Sequence, residues 1–600
     1  MTRCVQAGAK KRTNRGAGAV ELVKHLKKAA RVWPWLAAVS CGLLYTGCFP
    51  PFDYGWLCWL SLTPLLCAIW FSGANSRRRW LRDLLLGYVA GVIFFWTIFS
   101  WLTTVTVPGW FLLQFYFGVY FAIWGWVCGL LRPHPILPGP VAEGATDSPA
   151  PGDKWSQMLV AAGKEPSAAP PSPWLKSSHN LFLALLLAST WVTMEWLRGW
   201  DFSGWNWNGL GAALHAQWPI IQIAEFTGVA GLSFVVAFVN VIAVATVLRI
   251  FLEARYRAMK PHYDVTLTMS ALVGLLAFGW HVARIPQPSR PVRVAAIQAN
   301  IARAEKFNPQ FMQKIFDQFT RLSSMALQSN PPPDLLVWPE SSMPGPVLQD
   351  EASNQFVMDF AASTTADVLM GTIDVDASGD YNAALLVSGR GQSVQLYRKL
   401  HLVPFGEYIP LRHAVPLFAR IIGDQVPGDF AVGTEHTVFQ LTNKEVRVAP
   451  LICFEDTIGD LVRRFVLPQN RGSDRGANLL VNVTNDGWFK RSAASRQHLA
   501  NAVFRCVETR RPMVRAANTG VTCFINEYGR VTQILRDDTG DTFAEGVLIG
   551  EVNVPVLDPL TFYTRYGEVF AISCVAVTVL GVAWGIFRSR IRRKSGKPFA

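Results

Sequence analysis

Charged side chains are scarce in this chain of 600 residues: Asp, Glu, Lys and Arg make up 16% of it, whereas hydrophobic residues make up 50%. A soluble protein of this length carries more charge, so part of the chain is predicted to lie in lipid. The formal net charge is +14, but the basic residues cluster beside apolar runs instead of forming one stripe. A nucleic-acid partner is therefore not expected.

Metal-binding cysteine patterns are lacking as well. The ten cysteines form no CxxC pair and show no Cys/His spacing suited to zinc. Several lie in or beside apolar segments, where a cysteine acts as a small hydrophobe: Cys41, Cys48, Cys58, Cys67, Cys128 and Cys574. A disulfide between Cys506 and Cys523 is not expected, because neither has a framework-like spacing.

Long apolar runs are what the chain does contain. A membrane-spanning helix needs about 20 such residues. The runs lie near Val32–Phe49, Tyr54–Phe71, Leu84–Val105, Trp110–Leu131, Leu181–Leu197, Thr227–Leu248, Val265–Ala283 and Val569–Phe587. The sequence Val107-Pro108-Gly109 predicts a turn between the third and fourth runs. We therefore predict an α-helical membrane bundle of eight spans.

Clusters of Lys and Arg predict the orientation of these spans. They precede the first run and follow the second, sixth and eighth runs, so eight spans place them all on the cytoplasmic side. The predicted divisions are a basic cytoplasmic arm (1–31), a seven-helix bundle (32–284), a domain outside the cytoplasm (285–566), an eighth helix (567–588) and a basic cytoplasmic tail (589–600). A low-complexity cytoplasmic insert occupies 132–178. The basic arm lacks the features of a cleavable signal peptide.

Two ionisable residues, Glu195 and Arg198, stand three apart near the outer end of the fifth run. Ionisable residues inside a membrane indicate a functional site, here a candidate site on the membrane side. An ordinary i,i+3 pair that holds the end of the helix explains the same spacing. The sequence leaves both interpretations open.

From Pro291 onward, short β-branched runs alternate with helical ones, which predicts an α/β sandwich of about 270 residues. The predicted strands are Val292–Gln298, Asp334–Trp338, Asp367–Ile373, Ala383–Val387, Val446–Cys453, Leu479–Val483, Pro512–Ala516 and Val521–Asn526. The predicted helices between them include Asn308–Gln328 and Arg496–Thr509.

Three reactive side chains lie at the ends of predicted strands: Glu340 follows Asp334–Trp338, Lys399 follows a further predicted strand, Val394–Tyr397, and Cys453 ends Val446–Cys453. Such folds place their chemistry in the loops after strand ends. Taken singly, each has an ordinary explanation as a solvated loop residue or a buried thiol. Together they can perform covalent acyl chemistry, since a lysine cation is expected to lower the pKa of a nearby thiol and a carboxylate can accept its proton.

The sequence motifs around these residues resemble those of the nitrilase superfamily of carbon–nitrogen hydrolases, whose members use a Glu, a Lys and a Cys on an αββα sandwich. The motifs are Trp338-Pro339-Glu340, the segment Arg398–Glu407 and Ile452-Cys453-Phe454-Glu455. The flanking spans resemble the membrane-embedded branch, the apolipoprotein N-acyltransferases of the bacterial inner membrane. Further matching segments are Gln298–Ile301, Thr484–Phe489, Gln497-His498, Glu508–Pro512, Asn518–Val521 and Glu195–Gly199.

The resemblance implies a role for each matching residue. Glu340 corresponds to the proton acceptor, Lys399 to the lysine that stabilises the oxyanion, and Cys453 to the nucleophile. Glu407 and Glu455 correspond to two further carboxylates that the family needs. The chain departs from the enterobacterial enzymes in carrying Phe454 for Tyr, Phe307 for Trp and Ala302 for Pro.

The implied function is the final step of lipoprotein maturation. A phospholipid donates an acyl chain through a Cys thioester to the N-terminal S-diacylglyceryl-cysteine of an apolipoprotein, by a ping-pong mechanism. The resemblance further implies no cofactor, a monomer, an inner-membrane location, a periplasmic catalytic domain and cytoplasmic termini. The alternatives are a membrane-tethered amidase or nitrilase that acts on a small amide, and a transporter or scaffold with an inactive outer domain. An eight-span bundle is unnecessary for an amidase.

Overall fold

The computed structural model describes residues 29, 31–73, 78–133, 173–200, 204–255, 260–306, 308–409, 428–442, 444–468, 475–557 and 559–594. Some of the sequence predictions fall outside these ranges. They are the supporting residue Phe307, nearly all of the arm 1–31, most of the insert 132–178 and the end of the tail 589–600.

Six helices in the described ranges contain a stretch long and apolar enough to cross a membrane. They are Arg79–Ile98, Val107–Leu130, Pro173–Arg198, Val229–Arg255, Tyr263–Val282 and Val569–Lys594. They coincide with the last six predicted runs. The first run is helical over residues 31–47, and the second is broken into Gly55–Leu57, Cys58–Ser61 and Thr63–Phe71. The count of eight spans stays a prediction.

Prolines mark where two of the long helices begin. The predicted turn at Val107-Pro108-Gly109 is the start of the helix Val107–Leu130, and the hydroxyl of Thr106 caps it by accepting the backbone N–H of Gly109. The helix that corresponds to the fifth predicted run begins earlier than expected, at Pro173, inside the predicted insert 132–178. Proline suits the first turn of a helix because its missing N–H is not needed there.

The C-terminal half contains two six-stranded sheets with the order β12-β1-β2-β3-β4-β5 and β11-β10-β9-β8-β7-β6. The strands of the first sheet are β1 (Ser289–Gln298), β2 (Leu335–Val337), β3 (Asp367–Asp376), β4 (Gly379–Val387), β5 (Val394–Arg398) and β12 (Gly546–Pro555). Those of the second are β6 (Phe439–Gln440), β7 (Arg447–Ile452), β8 (Leu479–Thr484), β9 (Met513–Ala517), β10 (Cys523–Ile525) and β11 (Val531–Ile534).

Each sheet is parallel at its centre and antiparallel at its edges: β1, β2 and β3 run parallel, as do β7, β8 and β9. The helices Met312–Leu327 and Glu351–Ala362 cover the first sheet, where Phe319 and Trp338 share one buried cluster. The helices Gly459–Val466 and Ala494–Thr509 accompany the second sheet. This arrangement is the predicted α/β sandwich, with every predicted strand present. Its parallel centres bring several strand ends to one edge.

Candidate active site

The three strand-end residues of the sequence analysis come from both sheets. Glu340 follows β2, Lys399 follows β5 directly, and Cys453 follows β7 directly. Glu340 and Lys399 are buried, with 7% and 1% of their surface exposed. Cys453 is partly buried and is a free thiol. The charges of Glu340 and Lys399 both act on the pKa of Cys453, so the fold brings the three side chains into one site.

An amide that the sequence analysis missed, Asn382 on β4, joins the carboxylates of this site. Its Nδ2 donates to Glu340 Oε1 at 2.8 Å and to Glu407 Oε1 at 2.6 Å. The same oxygen of Glu407 accepts a hydrogen bond from Lys399 Nζ at 2.8 Å. Glu407 is held in turn by the backbone N–H of Val403, which donates to Oε2 at 2.8 Å. A buried amide inside an otherwise apolar strand was the available signal.

Burial and charge adjust the protonation of this network. Burial raises the pKa of Glu340, and the negative charge of Glu407 adds to the rise, while Lys399 opposes it. Burial lowers the pKa of Lys399, but the charges of Glu407, Cys453 and Glu340 outweigh burial and the net shift is upward. The result is a lysine that stays cationic and a carboxyl group that holds its proton more readily than usual.

The backbone at Cys453 is left-handed, with a φ of 52°. This conformation is unfavourable for a residue with a side chain, and such strain concentrates at functional sites. The carbonyl of Cys453 accepts a hydrogen bond from Asn482 Nδ2 at 2.9 Å. Burial raises the thiol pKa and the charge of Glu340 raises it further, whereas Lys399 lowers it. The lysine charge acts in the expected direction, but burial outweighs it and the net shift of the thiol pKa is upward.

The fully buried carboxylate of Glu455 ties the end of β5 to the end of β7. Its Oε1 accepts hydrogen bonds from the Tyr397 hydroxyl and the Leu400 N–H, each at 2.8 Å, and its Oε2 accepts from the Ile452 N–H at 2.9 Å. Burial raises the pKa of Glu455 to about 7. Because the two strands precede Lys399 and Cys453, this carboxylate holds the loop that begins at Lys399 next to the segment Cys453–Thr457, here called the thiol loop.

Phe454 is buried against the helical bundle. Its ring stacks on the indole of Trp207, with centroids 5.9 Å apart and planes at 9°, and lies 5.6 Å from the ring of Trp205. Both tryptophans belong to the segment that follows the helix Pro173–Arg198. The position beside the thiol is therefore an aromatic contact between the sandwich and the bundle.

A second lysine, Lys306, also reaches the site, and the sequence analysis missed it. Its Nζ donates to the backbone oxygen of Glu340 at 2.6 Å, and the residue is 1% exposed. Burial lowers its pKa to about 8, although the charge of Glu340 opposes the shift. The available signal was its position directly before Phe307, a residue that the resemblance had already singled out.

Buried charges also lie behind Cys453. Arg515 Nη1 pairs with Asp456 Oδ2 at 2.8 Å, and its Nη2 pairs with Asp486 Oδ2 at 3.1 Å. His498 lies between the two carboxylates, with Nε2 at 2.8 Å from Asp456 Oδ1 and Nδ1 at 3.1 Å from Asp486 Oδ1. Three of these residues fall in or beside segments quoted above for the resemblance, yet nothing in the sequence placed them together.

Glu195 and Arg198 do not form the predicted pair. Glu195 Oε1 accepts hydrogen bonds from Trp191 Nε1 at 2.8 Å and from the Leu210 N–H at 2.6 Å. The guanidinium of Arg198 lies over the ring of Phe95, at 5.2 Å, and no ion pair joins it to Glu195 among the residues that the structure describes. The carboxylate instead holds the segment after the helix, so the ordinary i,i+3 pair, one of the two interpretations left open, is not formed. Its use as a membrane-side site stays a prediction.

The chain is similar to known proteins along most of its length. Residues 293–561 match the family model of the carbon-nitrogen hydrolases, and residues 41–150 and 155–242 match that of the apolipoprotein N-acyltransferase N-terminal domain. The apolipoprotein N-acyltransferase of Geobacter metallireducens is 32% identical over 565 residues, which cover 93% of this chain and 96% of that protein. The apolipoprotein N-acyltransferase of Nitrosomonas europaea is 33% identical over 414 residues, which cover 68% and 75%.

Proposed function

The chain belongs to the apolipoprotein N-acyltransferases and is an acyltransferase, and from this membership we propose a thioester mechanism on Cys453. An acyl chain passes from a phospholipid to the thiol, and from the thiol to the α-amine of an S-diacylglyceryl-cysteine on an apolipoprotein. The observation that carries the proposal is the buried set of Glu340, Asn382, Glu407 and Lys399 around the thiol.

In the first half of the reaction, the Cys453 thiol gives its proton to Glu340 and the sulfur attacks the ester carbonyl of the phospholipid. Base assistance is needed, because burial raises the pKa of this thiol and keeps it protonated. The raised pKa of Glu340 suits the task, since it brings the base closer to working pH. The glycerol oxygen then leaves, takes the proton from Glu340 and departs as a lysophospholipid.

In the second half, the α-amine of the lipoprotein attacks the thioester carbonyl. A carbon–nitrogen bond forms, the carbon–sulfur bond breaks, and Glu340 carries a proton from the amine to the departing sulfur. Both halves pass through a tetrahedral oxyanion. Lys399 and the backbone N–H of Phe454 are the proposed donors to it. Lys399 suits this role because Glu407 keeps it cationic.

We further propose that the enzyme lies in the bacterial inner membrane with eight spans, a periplasmic sandwich and cytoplasmic termini. Both substrates carry acyl chains, and exposing a chain to water costs about 0.8 kcal/mol per CH₂. A site against the bundle avoids this exposure, and the contact of Phe454 with Trp207 supports such a position. The Lys and Arg clusters support the orientation.

Trapping the acyl-enzyme tests the mechanism. The full-length protein in detergent is incubated with a phospholipid labelled in its acyl chains, and the peptide containing Cys453 is examined by mass spectrometry. We expect a labelled, hydroxylamine-sensitive thioester on this peptide. Adding a diacylglyceryl-cysteine peptide as acceptor should remove the label. The Cys453→Ala variant should carry no label, whereas Cys506→Ala, altered at a buried thiol outside the site, should label normally. Acyl transfer by Cys453→Ala would overturn the mechanism.

A further inference from the structure

Gln497 lies where the sandwich meets the bundle. It belongs to the helix Ala494–Thr509 and is 1% exposed. Its Oε1 accepts hydrogen bonds from Trp101 Nε1 and Trp207 Nε1, each at 3.1 Å, and from Asn208 Nδ2 at 3.0 Å. Its Nε2 donates to the backbone oxygen of Pro50 at 2.8 Å. A buried amide with this many partners has one orientation.

The partners of Gln497 come from separate connections of the bundle. Pro50 lies between the first two helical segments, Trp101 lies between the helices Arg79–Ile98 and Val107–Leu130, and Trp207 follows the helix Pro173–Arg198. The side chain of Gln497, which belongs to the sandwich, therefore contacts three connecting segments of the bundle that are distant in sequence. Buried polar networks of this kind, when fully satisfied, specify a single arrangement of the parts they join.

The residue after Gln497 extends the network to the thiol loop. His498 Nε2 lies 3.3 Å from the backbone oxygen of Cys453 and 2.8 Å from Asp456 Oδ1. The Cys453 carbonyl therefore has His498 on one side and Asn482 on the other. These contacts hold the peptide group that follows Cys453. The left-handed backbone conformation of Cys453 is intrinsically unfavourable, so it depends on such contacts.

Trp207 connects the bundle to the thiol loop by a second route. Its Nε1 donates to Gln497, and its ring stacks on Phe454, the residue next to the thiol. A displacement of this indole would therefore move both supports of the loop together. The two routes start from one bundle residue and end on neighbouring residues of the thiol loop.

From this geometry we propose that Gln497 is a positioning residue: with Trp207 it lets the bundle set the orientation of the Cys453 thiol for attack on the acyl donor. The inference rests on the proposed role of Cys453 as nucleophile. In this proposal the bundle orients the thiol in addition to holding the lipid. Gln497 contacts no reacting atom, so its effect is on the turnover step and not on affinity for phospholipid.

The test uses the full-length enzyme in detergent with three single variants and the Gln497→Leu/Trp207→Phe double variant. Gln497→Leu removes every polar contact at nearly the same volume. Trp207→Phe keeps an aromatic ring for Phe454 but removes the indole N–H. The matched control is Trp96→Phe, because the indole N–H of Trp96 has no hydrogen-bond partner among the residues described. The measurements are kcat, KM for phospholipid, and the rate of Cys453 alkylation by iodoacetamide against pH, read by peptide mass spectrometry.

Gln497→Leu should lower kcat by roughly 10- to 100-fold, the effect of misplacing a reacting group by about 1 Å, and leave KM within about twofold. The pH dependence of Cys453 alkylation should shift, because the thiol moves relative to Glu340 and Lys399. Trp207→Phe should show the same pattern more weakly, and the double variant should be less impaired than the product of the two single effects. Trp96→Phe should match the wild type.

The failures of this inference and of the thioester mechanism are distinguishable. Wild-type kcat and alkylation in both Gln497→Leu and Trp207→Phe would overturn the inference while Cys453→Ala stays inactive. A fall in kcat that only follows the loss of folded protein, with unchanged alkylation of the folded fraction, would also overturn it. Activity in Cys453→Ala would instead overturn the mechanism on which the inference rests.

Discussion

Lys399 Nζ lies 2.8 Å from Glu407 Oε1, and both residues are buried. Because Glu407 holds the pKa of this lysine above its ordinary value against the effect of burial, Lys399 is a cation throughout the working range of pH. A permanent cation cannot act as the base, which supports the proposed role of Glu340 in proton transfer. The same carboxylate is joined to Glu340 through Asn382, which makes Glu407 the link between the cation and the base.

Replacing Glu407 by Gln should slow turnover through its effect on Lys399. Without the carboxylate charge, the pKa of Lys399 falls and the remaining anion, Glu340, pairs with the cation that should serve the oxyanion. We expect kcat to fall by roughly 10- to 100-fold, measured with a labelled phospholipid and an acceptor peptide. Glu445→Gln is the control, since that carboxylate is exposed and pairs with Arg290. Normal turnover by Glu407→Gln would contradict the link.

The rate should depend on pH through Glu340. This carboxyl group accepts a proton only when it is ionised, so the rate rises as pH passes its pKa, which burial places above the ordinary value. Asn382→Leu removes a hydrogen bond that favours the ionised form, so the acidic limb of the profile should move to higher pH. The measurement is kcat/KM against pH. Asn354→Leu is the control, because that amide donates to the backbone oxygen of Val347, outside the site. An unmoved limb in Asn382→Leu would argue against Glu340 as the base.

Glu455→Gln should weaken the connection between β5 and β7. A glutamine has one carbonyl oxygen for the four donors that the carboxylate now accepts, which come from Tyr397, Leu400, His401 and Ile452. Each buried N–H left without an acceptor costs about 1–3 kcal/mol. We expect a lower melting temperature together with slower acylation of Cys453. An unchanged melting temperature would show that the two strand ends are held by other contacts.

Phe454 should matter for its ring and not for a hydroxyl. Phe454→Tyr keeps the stack on Trp207 and should retain activity within several-fold. Phe454→Ala removes the ring from a buried contact, a change that costs about 3–5 kcal/mol in protein cores, and should strongly reduce acylation. Activity assays on the two variants, each corrected for folded protein, separate these effects. Equal activity of Phe454→Ala and wild type would rule out a supporting role for the ring.

Sequence patterns pointed to Glu340, Lys399 and Cys453 because each follows a short apolar strand and lies in a distinctive motif. They did not locate Asn382 or Trp207, and they marked Gln497 only as part of a matching segment without a role, since each of the three acts through partners that are distant along the chain. The outer strands β6, β11 and β12 escaped prediction as well. β6 has two residues, and β11 and β12 are partly exposed and lack a buried apolar run.

The direction of the thiol pKa shift was not predictable either. A lysine near Cys453 argues for a lowered pKa, and the sequence alone offers no measure of the opposing burial. The same limit applies to Glu195 and Arg198, whose spacing fits a pair. Their actual partners depend on Leu210 and Phe95, which approach only in the folded bundle. Identity and spacing predict which groups meet in a motif, while packing decides how they are charged and paired.

The orientation of the bundle can be tested at its C-terminus. Pro50, Trp101 and Trp207 lie in the connections after the first, third and fifth predicted spans, and all three bond to Gln497. Eight spans place the connections after odd-numbered spans on the same side of the membrane, so these three contacts agree with the proposed topology and its cytoplasmic C-terminus. A reporter active only in the cytoplasm should therefore work when fused after Lys597, and one active only in the periplasm should work when inserted at the exposed turn near Gly540. The reverse pattern would contradict the charge-based orientation and the periplasmic position of the sandwich.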